Sequence, residues 1–135
     1  MSALRGAAVA AALGLAATGV LIASPAHAAA YNDACGSGYA VISKLELGNE
    51  GTAFLTHNDS SGYKCAVTVR NTPGDAVEMG IRIKRTTDDP KDAIQDADQY
   101  TTYAGPVYVH APGVCVDWHG FIDGENNFEN GKNCG

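Results

Sequence analysis

Outside the first 28 residues the chain has three histidines, His57, His110 and His119, the side chains best suited to move a proton near neutral pH. His119 lies in Asp117-Trp118-His119-Gly120. On a strand, Asp117 and His119 project from one face, so the carboxylate can orient the imidazole as a general base or metal ligand. No nucleophile stands in a recognisable setting: the chain has neither a G-x-S-x-G elbow nor an H-E-x-x-H pair. The expectation is therefore an ordinary polar strand, with a small hydrolase using Asp117 and His119 as the rival. Asp88, Asp89, Asp92, Asp96 and Asp98 offer the oxygen ligands that calcium takes. Their order departs from an EF-hand loop, and Lys91 dilutes the charge, so a solvated loop is expected and no metal or cofactor is assigned. Tyr103, Tyr108 and Trp118, with His119, form the remaining candidate, since rings on a sheet face stack on sugars or pack against a protein. Core packing competes for the same rings.

The four cysteines, Cys35, Cys65, Cys115 and Cys134, match no C-x-x-C zinc or redox spacing. Their even number predicts two disulfides in an oxidising compartment. Three pairings are possible; the local one, Cys35–Cys65 with Cys115–Cys134, is preferred, and the nested one, Cys35–Cys134 with Cys65–Cys115, stays open. Asn58-Asp59-Ser60 matches an N-glycosylation sequon, but the same residues favour an Asx-type turn.

The elements that must position these side chains read as strands separated by turns. Alternation predicts strands over 39–47, 52–57 and 63–70, forming a meander. In the third, Cys65, Val67 and Val69 are expected inward and Lys64, Thr68 and Arg70 outward. Residues 77–84 give the clearest amphipathic strand, with Val77, Met79, Ile81 and Ile83 inward and Glu78, Arg82 and Lys84 outward. The acidic stretch 86–98 is expected as a loop. Strands follow over 100–111, where Pro106 indicates an edge strand or bulge, and over 114–122. The tail from Asp123 is Asn- and Gly-rich, is given no strand, and is expected to be pinned by Cys134. No segment has a long helical period. The fold expected is all-β, a small antiparallel sandwich or barrel stabilised by two disulfides.

Residues 1–28 read as a secretory leader: Arg5, an apolar run from Gly6 to about Ala23, a break at Ser24-Pro25, and the A-x-A site Ala26-His27-Ala28. Residues 29–135 would then form one secreted domain. The chain's net charge is −6, and removing the leader takes away one basic and no acidic residue. Acidity argues against nucleic acid and anionic membrane as partners; a monomer is expected.

Several blocks together resemble the spore-associated protein A family of secreted actinobacterial proteins. They are Tyr31-Asn32-Asp33-Ala34-Cys35-Gly36-Ser37-Gly38-Tyr39, Gly62-Tyr63-Lys64-Cys65, and Tyr100-Thr101-Thr102-Tyr103-Ala104-Gly105-Pro106-Val107-Tyr108. Gly113-Val114-Cys115-Val116 and Asn133-Cys134-Gly135 complete the set. The resemblance implies a small exported protein found with aerial growth and spores, and it carries over no catalytic residue. The function expected is that of a non-enzymatic protein at the spore or cell surface, with cell-wall or spore-surface components as partners. The alternative is a diffusible carbohydrate- or protein-binding module, or an enzyme inhibitor.

Overall fold

Among the described residues, eight antiparallel strands build two facing four-stranded sheets. The computed structural model describes residues 28–135; the leader, apart from Ala28, lies outside the described residues. In chain order the strands are β1 (Ala40–Leu47), β2 (Gly51–His57), β3 (Tyr63–Arg70), β4 (Val77–Arg85), β5 (Ile94–Tyr100), β6 (Tyr103–His110), β7 (Val116–Ile122) and β8 (Glu125–Lys132). The first sheet has the order β1-β2-β3-β6 and the second β8-β7-β4-β5. The expected β1-β2-β3 meander is present. The chain then crosses to the second sheet for β4 and β5, returns for β6 and crosses again for β7 and β8; only Thr101 and Thr102 separate β5, at the edge of one sheet, from β6, at the edge of the other.

The core is the apolar filling between the sheets, from Leu45, Leu47 and Leu55 on one side to Ile81, Ile83, Trp118 and Ile122 on the other. Strand β4 follows its alternation, with Met79, Ile81 and Ile83 fully buried. Pro106 sits in the edge strand β6, and the β3–β6 register shifts between Ala66 and Thr68, opposite it.

Strand β3 departs from its expected facing. Ala66 belongs to the inter-sheet core, and Lys64 and Thr68 share its parity. Thr68 donates its hydroxyl to the Gly80 carbonyl of the opposite sheet at 2.9 Å. The Lys64 ammonium, fully buried, donates to the carbonyls of Ala111 at 2.6 Å and Gly135 at 2.7 Å. Burial pushes its pKa down, and the carbonyls replace part of the lost hydration. Cys65 and Val67 face away from the core and are buried all the same, because residues 29–39 run across the outside of this sheet. That strap is fixed by the Cys35–Cys65 disulfide, by Tyr31 against Phe54, by Tyr39 against Tyr108, and by the Ala29 N–H bonded to Asn71 Oδ1.

Two segments to which the sequence assigned no strand are strands, one of them within the stretch expected as a loop. Residues 94–100 form β5, preceded by a short 3-10 turn at Pro90–Asp92 that Asp89 caps through the Lys91 N–H. The tail forms β8, paired with β7 through a tight turn at Asp123-Gly124. Both turn residues have positive φ, 49° and 89°, as the common two-residue hairpin turn requires.

Both disulfides take the local pairing, Cys35–Cys65 and Cys115–Cys134, and the nested alternative is excluded.

Candidate functional surface

The four residues singled out as a binding face do not share one surface. Tyr103 and Tyr108 are exposed on β6 in the first sheet. Trp118 is only 2% exposed and fills the core, its indole N–H donating to Glu129 Oε1 at 3.1 Å. His119 lies on the outer face of the second sheet, its ring near Phe121 and Phe128.

Asp117 and His119 occupy the same face of β7 with different partners. Asp117 accepts from the Thr86 hydroxyl at 2.7 Å and the Gly131 N–H at 2.8 Å, and pairs with the Lys84 ammonium at 3.2 Å. Burial alone would raise its pKa, yet these bonds outweigh it and hold the carboxyl below its ordinary value. The Lys84 side chain, expected outward, is drawn down against this carboxylate and the carbonyls of Thr86 and Asp88. His119 Nε2 lies 3.3 Å from Asn126 Oδ1. The carboxylate therefore ties β7 to β4, β8 and the β4–β5 connection and does not orient the imidazole.

Glu129 acts similarly. Its Oε1 accepts from Trp118, from the Ser43 hydroxyl at 2.9 Å and from the Asn133 amide at 3.0 Å. Burial opposes its ionisation, and these three donors more than compensate, lowering its pKa. The carboxylate joins both sheets and the tail at one edge of the sandwich.

The aspartates of 86–98 are dispersed over separate tasks. Asp88 forms a fork with Arg85, Asp92 pairs with Lys91, and Asp96 accepts from the Tyr100 hydroxyl and the Gly105 N–H. Among the described residues, no three His, Cys, Asp or Glu side chains converge as a metal-holding group. In the sequon turn, Asn58 Oδ1 accepts from the N–H groups of Ser60 and Ser61, the Asx geometry.

An open groove of about 390 Å³ lies where β6 meets the β4–β5 connection. One wall is Tyr63, Tyr108 and His110; the Tyr63 and His110 rings pack at a tilt with centroids 4.9 Å apart. The other wall is Arg85, Asp88 and Ile94. Of its lining, only Tyr108 had been read as part of a binding face; His110, Asp88 and Asp92 were named in sequence for proton transfer or calcium, not for this surface. Tyr63, Arg85 and Ile94 come from three strands in two sheets. Their convergence depends on how the sheets stack, which alternation along one strand does not encode.

Sequence comparison agrees with the resemblance. The chain is 40% identical over 131 residues to Spore-associated protein A of Streptomyces coelicolor (strain ATCC BAA-471 / A3(2) / M145), covering 92% of this chain and 84% of that protein. No family model matches the chain. No solved structure matches it either.

Proposed function

Because this chain belongs to the spore-associated protein A family, we propose that it is a secreted, non-enzymatic protein that attaches to the spore or cell surface. The carrying observation is the 40% identity spread over 92% of the chain, since likeness on that scale reaches well beyond a single motif. Two further features support the reading. Both disulfides suit an oxidising exterior, and residues 1–28 have the order of an export leader. The polar contacts of Asp117 and His119 favour a structural role over a hydrolytic one.

Fractionation of a sporulating culture tests this proposal. Spores are washed in non-lytic detergent, and the protein is quantified in wash, pellet and culture fluid. Enrichment on spores with release into the wash is the expected result. Recovery mainly from culture fluid at every growth stage would overturn surface attachment in favour of a diffusible binder or inhibitor. The exposed aromatic groove is the feature that favours that second reading.

A further inference from the structure

We infer that the groove between β6 and the β4–β5 connection binds a neutral, β-linked polysaccharide chain. This inference deepens the proposed surface role by naming the ligand class that such attachment would use.

Three observations carry it. First, three of the seven large apolar side chains exposed among the described residues meet here. Tyr63, Tyr108 and Ile94 are 41%, 38% and 46% exposed, and all three line the groove. Tyrosine rings at a rim offer flat apolar faces to the C–H faces of a sugar ring. Tyr63 is already held in place, its ring against His110, and Tyr108 is fixed by its hydroxyl bond to the Cys35 carbonyl at 3.1 Å. Prior fixation lowers the ordering cost of binding.

Second, the charges in the groove cancel locally. Arg85 is bound through its Nε to both carboxylate oxygens of Asp88, at 3.0 and 3.1 Å. Asp92, the other lining carboxylate, has Lys91 at 3.2 Å. Such a site exerts little net pull on an anion or cation. It still displays guanidinium donors and carboxylate acceptors, the groups that pair with neutral hydroxyls.

Third, the volume lies at the low end of the range for small-ligand sites, yet the groove is open to solvent and its lining comes from both sheets. An open site admits one stretch of a longer chain, which a closed cavity does not. β-1,4-linked chains are extended and flat, and present their C–H ring faces to exposed tyrosines better than a coiled polymer does.

The test is co-sedimentation of the purified 29–135 protein, disulfides intact, with insoluble chitin and cellulose. Starch is the α-linked comparison, and titration with soluble chito- and cello-oligosaccharides gives affinities. Tyr63→Ala is the main variant, because this residue is exposed and its truncation leaves the core intact. Binding is expected to at least one β-linked polymer, about tenfold weaker in Tyr63→Ala. Phe128→Ala is the control, since Phe128 is 58% exposed on β8, at the opposite edge of its sheet from β5; it should bind as wild type does. Arg85→Gln with unchanged melting temperature should also weaken binding. Failure to sediment with either β-linked polymer would overturn the inference, as would equal losses in Tyr63→Ala and Phe128→Ala. Spore enrichment without glycan binding would sink this inference alone; glycan binding by a protein found only in culture fluid would sink the surface role and leave the groove standing.

Discussion

At the scale of single residues, polar side chains join elements that apolar packing leaves separate. Asp96 is one such joint: it receives the Tyr100 hydroxyl from its own strand and the Gly105 N–H from β6, in the other sheet. The hydrogen bond to Asp96 is the main reason that the Tyr100 phenol is pushed up to about 12 from its ordinary 10.0. Between those values the unfolded chain has released a proton that the folded chain retains. Stability linked to this phenol is therefore whole below pH 10.0 and drains away as pH rises through about 12. Tyr100→Phe removes that dependence. Its thermal stability, followed by circular dichroism against wild type, should fall less steeply across this window; parallel alkaline limbs would refute the assignment. Single residues also show where sequence reading stops. His119 and Asp117 were rightly expected to share a face, but not that Thr86, Gly131 and Lys84 would claim the carboxylate. Those partners lie on other elements.

At the scale of elements, apolar alternation found the strands whose faces are buried and missed those whose faces are wet. Strand β5, Ile94–Tyr100, and strand β8, Glu125–Lys132, are sheet edges with mostly exposed side chains. Backbone pairing holds such strands, and backbone pairing leaves no hydrophobic period. The Asp123-Gly124 dipeptide was the available sign of the β7–β8 hairpin. Strand β3 misled for the opposite reason: the strap buries its outer face, so its apolar residues point away from the core. The closeness of the two sheets can be tested at Gly120. A methyl group there would lie 2.6 Å from the Ala53 Cβ and 2.8 Å from the Thr68 hydroxyl. Gly120→Ala should destabilise by about 1–3 kcal/mol through overpacking, read as a lower denaturant midpoint with an unchanged slope. A neutral substitution would mean that the sheets separate readily.

At the scale of the whole molecule, fold class and disulfide count were legible because they follow from composition and turn spacing. The groove was not, since it exists only once β3, β4, β5 and β6 are assembled. Each bridge should contribute about 2–4 kcal/mol, much of it by restricting the unfolded chain, against a typical total for a domain of about 5–15 kcal/mol. Reductant should therefore lower the melting temperature markedly, and a Cys35→Ser/Cys65→Ser variant should reproduce part of the drop. An unchanged melting temperature in reductant would contradict that contribution.

The placement of the bridges also decides what a single peptide-bond cut does. Cys35–Cys65 encloses β1, β2 and the Asn58–Ser61 turn, and Cys115–Cys134 encloses β7, β8 and the Asp123-Gly124 turn. A protease nicking either turn leaves one covalent molecule, with the cut strands still held beside their partners. A nick in the 71–76 or 86–89 connection falls between the bridged loops and divides the chain into two covalently separate pieces. Severing of the molecule into two strand-bearing pieces by a single cut is thus confined to the stretch between Cys65 and Cys115, where Lys84 and Arg85 gather the 86–88 connection through their bonds to Thr86 and Asp88.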